Sequence, residues 1–498
     1  MNQEPLDRAK DLLDQGRIEE ALTVTTPLAS VQETTLRALA MHSTALKGAG
    51  RRDEALAYDQ RAVRRFPTNG VAWHNLAATL GDLGRGREAV EAMQNGLRLG
   101  LDGALSYGVL ARAHAAAGDL DGAEQAYLEA LKRAPGRPET AAEYADVVWM
   151  RRGDLAAAQI VLDRCAHAGG APAPLLLSKA KLYEAAGEAG RAAELLAMAA
   201  QRLPDDPAIL LAAAQSALEQ DRLDEAERLA LAAERLLPFG PGVLNQLAIV
   251  YLAVGKADLA LEKARAGLEI APESQSLWGW AATAARAADD PLYGQLYDYD
   301  AMVGVYDIEA PQGWPSLDAY LADLAAALDG IHLYNRHPAS QSLRHGSQTT
   351  YRLTGSDDPV IQAFFRAVDA PIRQHIAGLG QGSDPLRSRA ADGYRVEGAW
   401  SVRLNPGGYH KDHFHPDGWL SSAFYVETPD QALDTAERQG WLRFGQPPFR
   451  TEPPLRADHH VRPKPGRLVL FPSYMWHGTV PFTTHERRMT IAFDVVPA

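Results

Sequence analysis

Three histidines, His410, His413 and His415, crowd the short run YHKDHFHPDGW, and a fourth, His477, opens the segment that follows RLVLFPS. On an extended chain His413 and His415 stand two residues apart and project from one face. Joined by His477 on a neighbouring strand, they would cap one side of a divalent metal and leave its other positions open. Eleven residues past His477 comes Arg488, with Thr490 two residues on. A guanidinium grips a carboxylate with two parallel hydrogen bonds, and a hydroxyl on the same strand face adds another. A dicarboxylate held between a metal and a cation is the chemistry this spacing allows.

Other residues in the same stretch admit two readings each. His410 and Asp412 form a second His-x-Asp pair that could ligate with His477 in place of His413 and His415. Asn405 and Tyr409 stand where they could hydrogen-bond the metal-side carboxylate, although Asn-Pro-Gly-Gly is also a common turn. Asp417 is a further ligand candidate or a turn residue after Pro416. Trp419, Tyr425 and Trp476 could line a pocket, though strand aromatics commonly belong to a core. His332, His337, His375, His459, His460 and His485 stand apart from the cluster and read as surface or satisfied core histidines.

The elements needed to position these residues are short strands. GAWSVRLNPGG, WLSSAFYVET, RLVLFPS and RMTIAFDVV are β-rich runs bounded by Gly and Pro turns. Ahead of them, Ser316 after Pro315 can cap a helix through LDAYLADLAAAL, and DDPVIQAFFRAVDAPIRQHIA predicts a second helix interrupted or kinked at Pro371. Helices followed by strands predict a helix-supported sheet or barrel over residues 291–498.

Residues 1–290 follow a different rule. Gly16, Gly50, Gly84, Gly118, Gly153, Gly187, Asp221 and Gly255 recur every 34 or 35 residues, each followed five positions later by alanine, from Ala21 to Ala260. Pro67, Pro135, Pro204, Pro238 and Pro272 keep the same beat. A helix, a turn needing positive φ, a second helix approaching closely through alanine, and a proline stop explain that period. A last helix carrying Trp278 and Trp280 is expected to cap the stack.

The bulk properties narrow the function. A formal net charge of −13 without a long basic run argues against nucleic-acid binding. Cys165 is the single cysteine, which removes intramolecular disulfides and thiolate zinc sites. The charged start MNQEPLDRAKDLLDQG lacks a signal-peptide core, and no apolar run reaches membrane-spanning length, so a cytoplasmic protein without membrane attachment is expected.

The repeat resembles the tetratricopeptide family, with Trp73-x-x-Leu76 in one first helix and Ala62, Ala130, Ala199 and Ala233 five residues before a closing proline. The runs NPGGYHKDHFHPDGWLSSAFYVETP, GWLRFG and PKPGRLVLFPSYMWHGTVPFTTHERRMTIAFDVVP, with QSLRHGSQT ahead of them, resemble a 2-oxoglutarate- and Fe(II)-dependent oxygenase family that often follows such repeats in bacteria. This implies an N-terminal α-solenoid joined to a C-terminal double-stranded β-helix with supporting helices. It further implies Fe(II) at His413, His415 and His477, 2-oxoglutarate anchored by Arg488 and Thr490, dioxygen as co-substrate, and a protein or peptide held by the repeats. The sequence departs from the wider superfamily in placing His415 where a carboxylate ligand is usual. Two rival readings use the same residues: a repeat scaffold with a degenerate or metal-sensing β domain, and a three-histidine dioxygenase that does not use 2-oxoglutarate.

Overall fold

The computed structural model describes residues 3–349, 353–430 and 436–498. Seventeen helices, α1–α17, run in antiparallel hairpins between Gln3 and Ala287. Every ruler position takes the left-handed conformation the turn requires, from φ 73° at Gly16 to φ 75° at Gly255, and Asp221 adopts it at φ 59° despite its side chain. The amide of the following residue returns to the previous helix, as from Arg51 to the Leu46 carbonyl at 2.8 Å. Ala21, Ala55, Ala89, Ala123, Ala158, Ala192, Ala226 and Ala260 are all fully buried. A larger side chain there would hold the paired helices apart.

Contacts divide the chain into two compact units, one reaching to Tyr144 with a return segment ending at Ser356, the other comprising Ala145–Thr349 and Asp357–Ala498. The first holds the hairpins from α1 (Gln3–Asp14) to α8 (Leu120–Arg133), with small cores such as Leu12, Leu22 and Leu46 between successive helices. The second holds the later hairpins and all the strands. Its last repeat helix, α17 (Gln275–Ala287), does not end the array as a polar cap. Trp280 is buried against Trp476, with ring centroids 4.6 Å apart, and Trp476 donates its indole N–H to Thr283 at 2.8 Å. An apolar cap needs cover, and the sheet domain supplies it.

Among the described residues there are nine strands: β1 (Gly304–Asp307), β2 (Leu343–Gln348), β3 (Tyr394–His410), β4 (Leu420–Glu427), β5 (Leu442–Phe444), β6 (His459–Val461), β7 (Arg467–Pro472), β8 (His477–Thr479) and β9 (Arg488–Pro497). They form an antiparallel six-stranded sheet in the order β1-β7-β4-β9-β3-β2 and a three-stranded sheet β6-β5-β8. The two sheets meet where His413 bridges His477. After two short helices, α18 (Leu292–Leu296) and α19 (Tyr299–Met302), two longer ones, α20 (Leu317–Asp329) and α21 (Pro359–Gly378), support the large sheet, with Phe364 of α21 packed on Phe424 and Phe493. Ser316 caps α20 as its position predicts. Helix α21 runs through Pro371 without a break. Its buried stripe of Ile361, Phe364, Val368 and Ile372 lies on both sides of the proline, so packing holds the turn that the missing N–H weakens.

Candidate metal centre

Alternation along β9 divides its side chains. Phe493 faces the supporting helix, so Arg488, Thr490 and Asp494 turn to the opposite face, toward the junction of the two sheets. There His413, His415 and His477 present one ring nitrogen each, all within 4.8 Å of one another. The outer nitrogens are already committed. His413 Nδ1 lies 2.9 Å from the Lys411 carbonyl, His477 Nδ1 lies 2.9 Å from the Met475 carbonyl, and His415 Nδ1 lies 2.6 Å from Asp494 Oδ1. Carbonyls and carboxylates accept, so each Nδ1 carries the proton and each Nε2 turns a lone pair inward. The Nε2 atoms of His413 and His415 stand 3.2 Å apart. Two inward lone pairs so close together fit a cation between them.

Burial supports the neutral state a ligand needs. It pushes His413 down to about 3, with the neighbouring His415 adding to the effect. His477 is held well below its ordinary value by burial and then by His413 and His415.

Arg488 is 2 % exposed and lies over the Tyr425 ring, 5.1 Å from its centroid. No carboxylate pairs with it among the described residues; the Tyr425 hydroxyl is its polar neighbour, and its Nε is left without a well-formed hydrogen bond. Burial lowers its pKa, though an arginine stays charged. A buried cation with an idle donor is expensive unless an anion meets it.

The family model described as "Putative 2OG-Fe(II) oxygenase" matches residues 398–494, and a tetratricopeptide repeat model matches 74–138 and 177–241. The chain joins tetratricopeptide repeats to a 2OG-Fe(II) oxygenase-type domain. No curated protein matches it. Among solved structures it is similar to the APC/C hetero-tetramer Cut9-Hcn1, at 17 % identity over 56 % of this chain and 55 % of that one, with a TM-score of 0.33. It is also similar to a tetratricopeptide repeat protein from Parabacteroides merdae ATCC 43184, at 16 % identity over 50 % of this chain and 98 % of that one, with a TM-score of 0.34. The match thus spans about half the length of the first of these chains.

Within the oxygenase-type domain, the histidine cluster and Arg488 lie inside the matched residues. His410 and Asp412 do not join the cluster. Arg443 clasps both Asp412 oxygens at 2.8 and 2.6 Å, while His410 Nδ1 pairs with the Ser342 hydroxyl at 3.0 Å. His410 is nonetheless close: its ring stacks on His413 at 5.6 Å, and burial, then His413 and Arg488, disfavour its charge. Tyr409 is half-buried and lines a cavity that reaches His413, whereas Asn405 is exposed in the bulge where β3 shifts register against β2. Thr490 is buried opposite Tyr425 of β4. Asp417 sits exposed in the turn after Pro416. Trp419 belongs to the core, donating to the Leu386 carbonyl at 2.8 Å.

Sequence reasoning missed Asp494. Its Oδ1 also accepts from the Ser421 hydroxyl at 2.7 Å, and Ser421 meets Ser473 at 2.8 Å. The one available signal was its phase, since Asp494 continues the face that begins at Arg488 and Thr490.

Proposed function

We propose that this protein is an Fe(II)- and 2-oxoglutarate-dependent dioxygenase, a hydroxylase whose protein or peptide substrate is brought to the iron by the repeat array. The reading divides the chain into a repeat region, 1–290, and a catalytic region, 291–498. The observation that supports it best is the gathering, at the junction of the two sheets, of three inward Nε2 lone pairs, with, on the strand face turned toward them, a buried Arg488 that no carboxylate pairs with among the described residues. Cation ligands and anion anchor fit a metal-chelating dicarboxylate.

In this reading His413, His415 and His477 hold Fe(II), and Arg488 with Thr490 takes the far carboxylate of 2-oxoglutarate. His410, disfavoured as a cation first by burial and then by His413 and Arg488, stacks on the His413 ring. With both bound, the iron supplies the oxidant that converts a substrate C–H, dioxygen and 2-oxoglutarate into an alcohol, succinate and carbon dioxide. Asp494 fixes His415 by its hydrogen bond and places a carboxylate one ring behind the position where the superfamily usually has it in direct contact. Trp400, 5.5 Å from His415, and Phe471, 4.5 Å from His477, exclude water from the rings.

Anaerobic titration tests the reading. Fe(II) and 2-oxoglutarate together should give the weak visible charge-transfer band of a chelated keto acid, absent in His477→Ala. Arg488→Ala should raise the 2-oxoglutarate concentration needed at least ten-fold. Iron binding without that band would favour the three-histidine dioxygenase or the metal-sensing scaffold instead. Succinate release in air then tests turnover.

A further inference from the structure

A cavity of about 910 Å³ opens from His413 and Trp476. One of its walls is built by the oxygenase-type domain. The other is built by the first helices of successive hairpins: α11 (Pro172–Ala185), α13 (Pro207–Glu219), α15 (Pro241–Ala253) and α17. A wall made of parallel strips from consecutive repeats suits an extended chain better than a compact molecule.

The charges on the two walls are unequally satisfied. On the domain side, Arg443 is engaged by Asp412, and Arg344 donates to the carbonyls of Gln341 and Leu343 at 2.7 and 2.8 Å. Arg450 pairs with Asp221 at 2.7 Å. Lys411 is the cation left exposed there. On the repeat side, Glu184 and Glu219 make no ion pair among the described residues, and Glu219 has only a 3.4 Å contact from the Gln215 amide. Burial, and then repulsion from Glu219, penalise the Glu184 carboxylate by more than Lys411 and Arg344 relieve. The acidic wall therefore has no cation ion-paired with it among the described residues.

A second observation points to the same occupant. Gln246 is 7 % exposed and lines this cavity, yet its Nε2 has no hydrogen-bond partner. Beside it, Asn245 accepts the Ser276 hydroxyl through Oδ1 at 2.8 Å, which turns its amide nitrogen to the task of donating. Two adjacent side-chain amide donors match the carbonyls of an extended main chain.

We propose that this cavity binds an extended polypeptide segment bearing a lysine or arginine, with its cationic head taken by Glu184 and Glu219 and its main chain held by Asn245 and Gln246. A neighbouring residue of the segment then lies at the His413 end. The proposal deepens the reading of the protein as a protein hydroxylase by naming the substrate's chemistry.

Selection of a display library of random 12-residue peptides on the full-length protein tests it. Lysine or arginine should be enriched several-fold over library frequency in the bound pool. Selection on a Glu184→Gln, Glu219→Gln double variant, checked for an unchanged melting temperature, should return both residues to library frequency. Gln246→Ala should weaken a selected peptide about ten-fold without altering the preference. Enrichment of acidic residues, identical pools from the two proteins, or no enrichment at all would each overturn the proposal. Repeating the selection on His477→Ala separates it from the catalytic reading. A basic preference that survives there while wild type releases no succinate sustains the cavity and sinks the oxygenase, and succinate release with no such preference does the reverse.

Discussion

At the scale of single residues, Asp494 carries the sharpest consequence. A histidine ligand is oriented and made more basic by the acceptor behind it, and outer partners of this kind are worth about 10–100-fold in metal affinity. Asp494→Ala should therefore weaken Fe(II) binding by about that factor in a chelator competition, whereas Asp494→Asn, which keeps an acceptor oxygen, should cost less. Equal affinities in wild type and Asp494→Ala, with unchanged melting, would remove Asp494 from the site. The gathering of His413, His415 and His477 and the inward phase of Arg488 could be read from the sequence, because clustering and strand phase are local properties. The pairing that occupies Asp412 could not. It depends on Arg443, which reaches Asp412 from a strand thirty-one residues away.

Elements obey packing limits that their own sequences only partly disclose. The repeat ruler could be read directly, because a left-handed turn admits few residues and a close helix pair needs a small one. Strands β1, β5, β6 and β8 could not be read with equal clarity, since three or four residues show no periodicity. The seating of α17 was equally hidden. A Cβ added at Gly279 would lie 2.9 Å from the backbone carbonyl of Tyr474, and neither partner is a flexible side-chain end. Gly279→Ala should thus push α17 from the segment that carries Trp476, costing about 1–3 kcal/mol and lowering the melting temperature by several degrees. Gly190, in α12 (Ala189–Arg202), meets nothing within 4 Å. Gly190→Ala should instead stabilise by up to about 1 kcal/mol through helix propensity. Two glycine-to-alanine changes with the same sign in thermal melts would refute this account of the α17 contact.

At the scale of the molecule, the second compact unit binds repeat and sheet elements through contacts that no local pattern announces. Trp149 donates to the His337 carbonyl at 3.0 Å, Asp146 accepts from the Ala339 amide at 3.0 Å, and Arg286 reaches the Gly445 carbonyl at 3.0 Å. Forming that unit buries His332, His337 and His375, and burial pushes each down to about 4. His332 is held as a neutral ring by Ser347 at 2.9 Å and Ser401 at 3.0 Å. The unfolded chain takes up these protons near pH 6.5, the folded chain only near pH 4. Above pH 6.5 neither state is protonated and nothing is lost; between pH 6.5 and 4 each histidine favours unfolding, by roughly 2 kcal/mol at pH 5. Asp146, Glu184 and Asp412, raised by burial, act in the opposite sense and offset part of this loss near pH 4. Asp307, lowered to about 2 chiefly by its hydrogen bond from Arg467, adds a further loss only below about pH 4. Urea midpoints measured at pH 7 and pH 5 should fall for wild type and fall distinctly less for His332→Asn, because the variant has one proton fewer to gain on unfolding. If the two proteins lose stability in parallel, His332 does not make the buried neutral contact that ties the supporting helix region to β3.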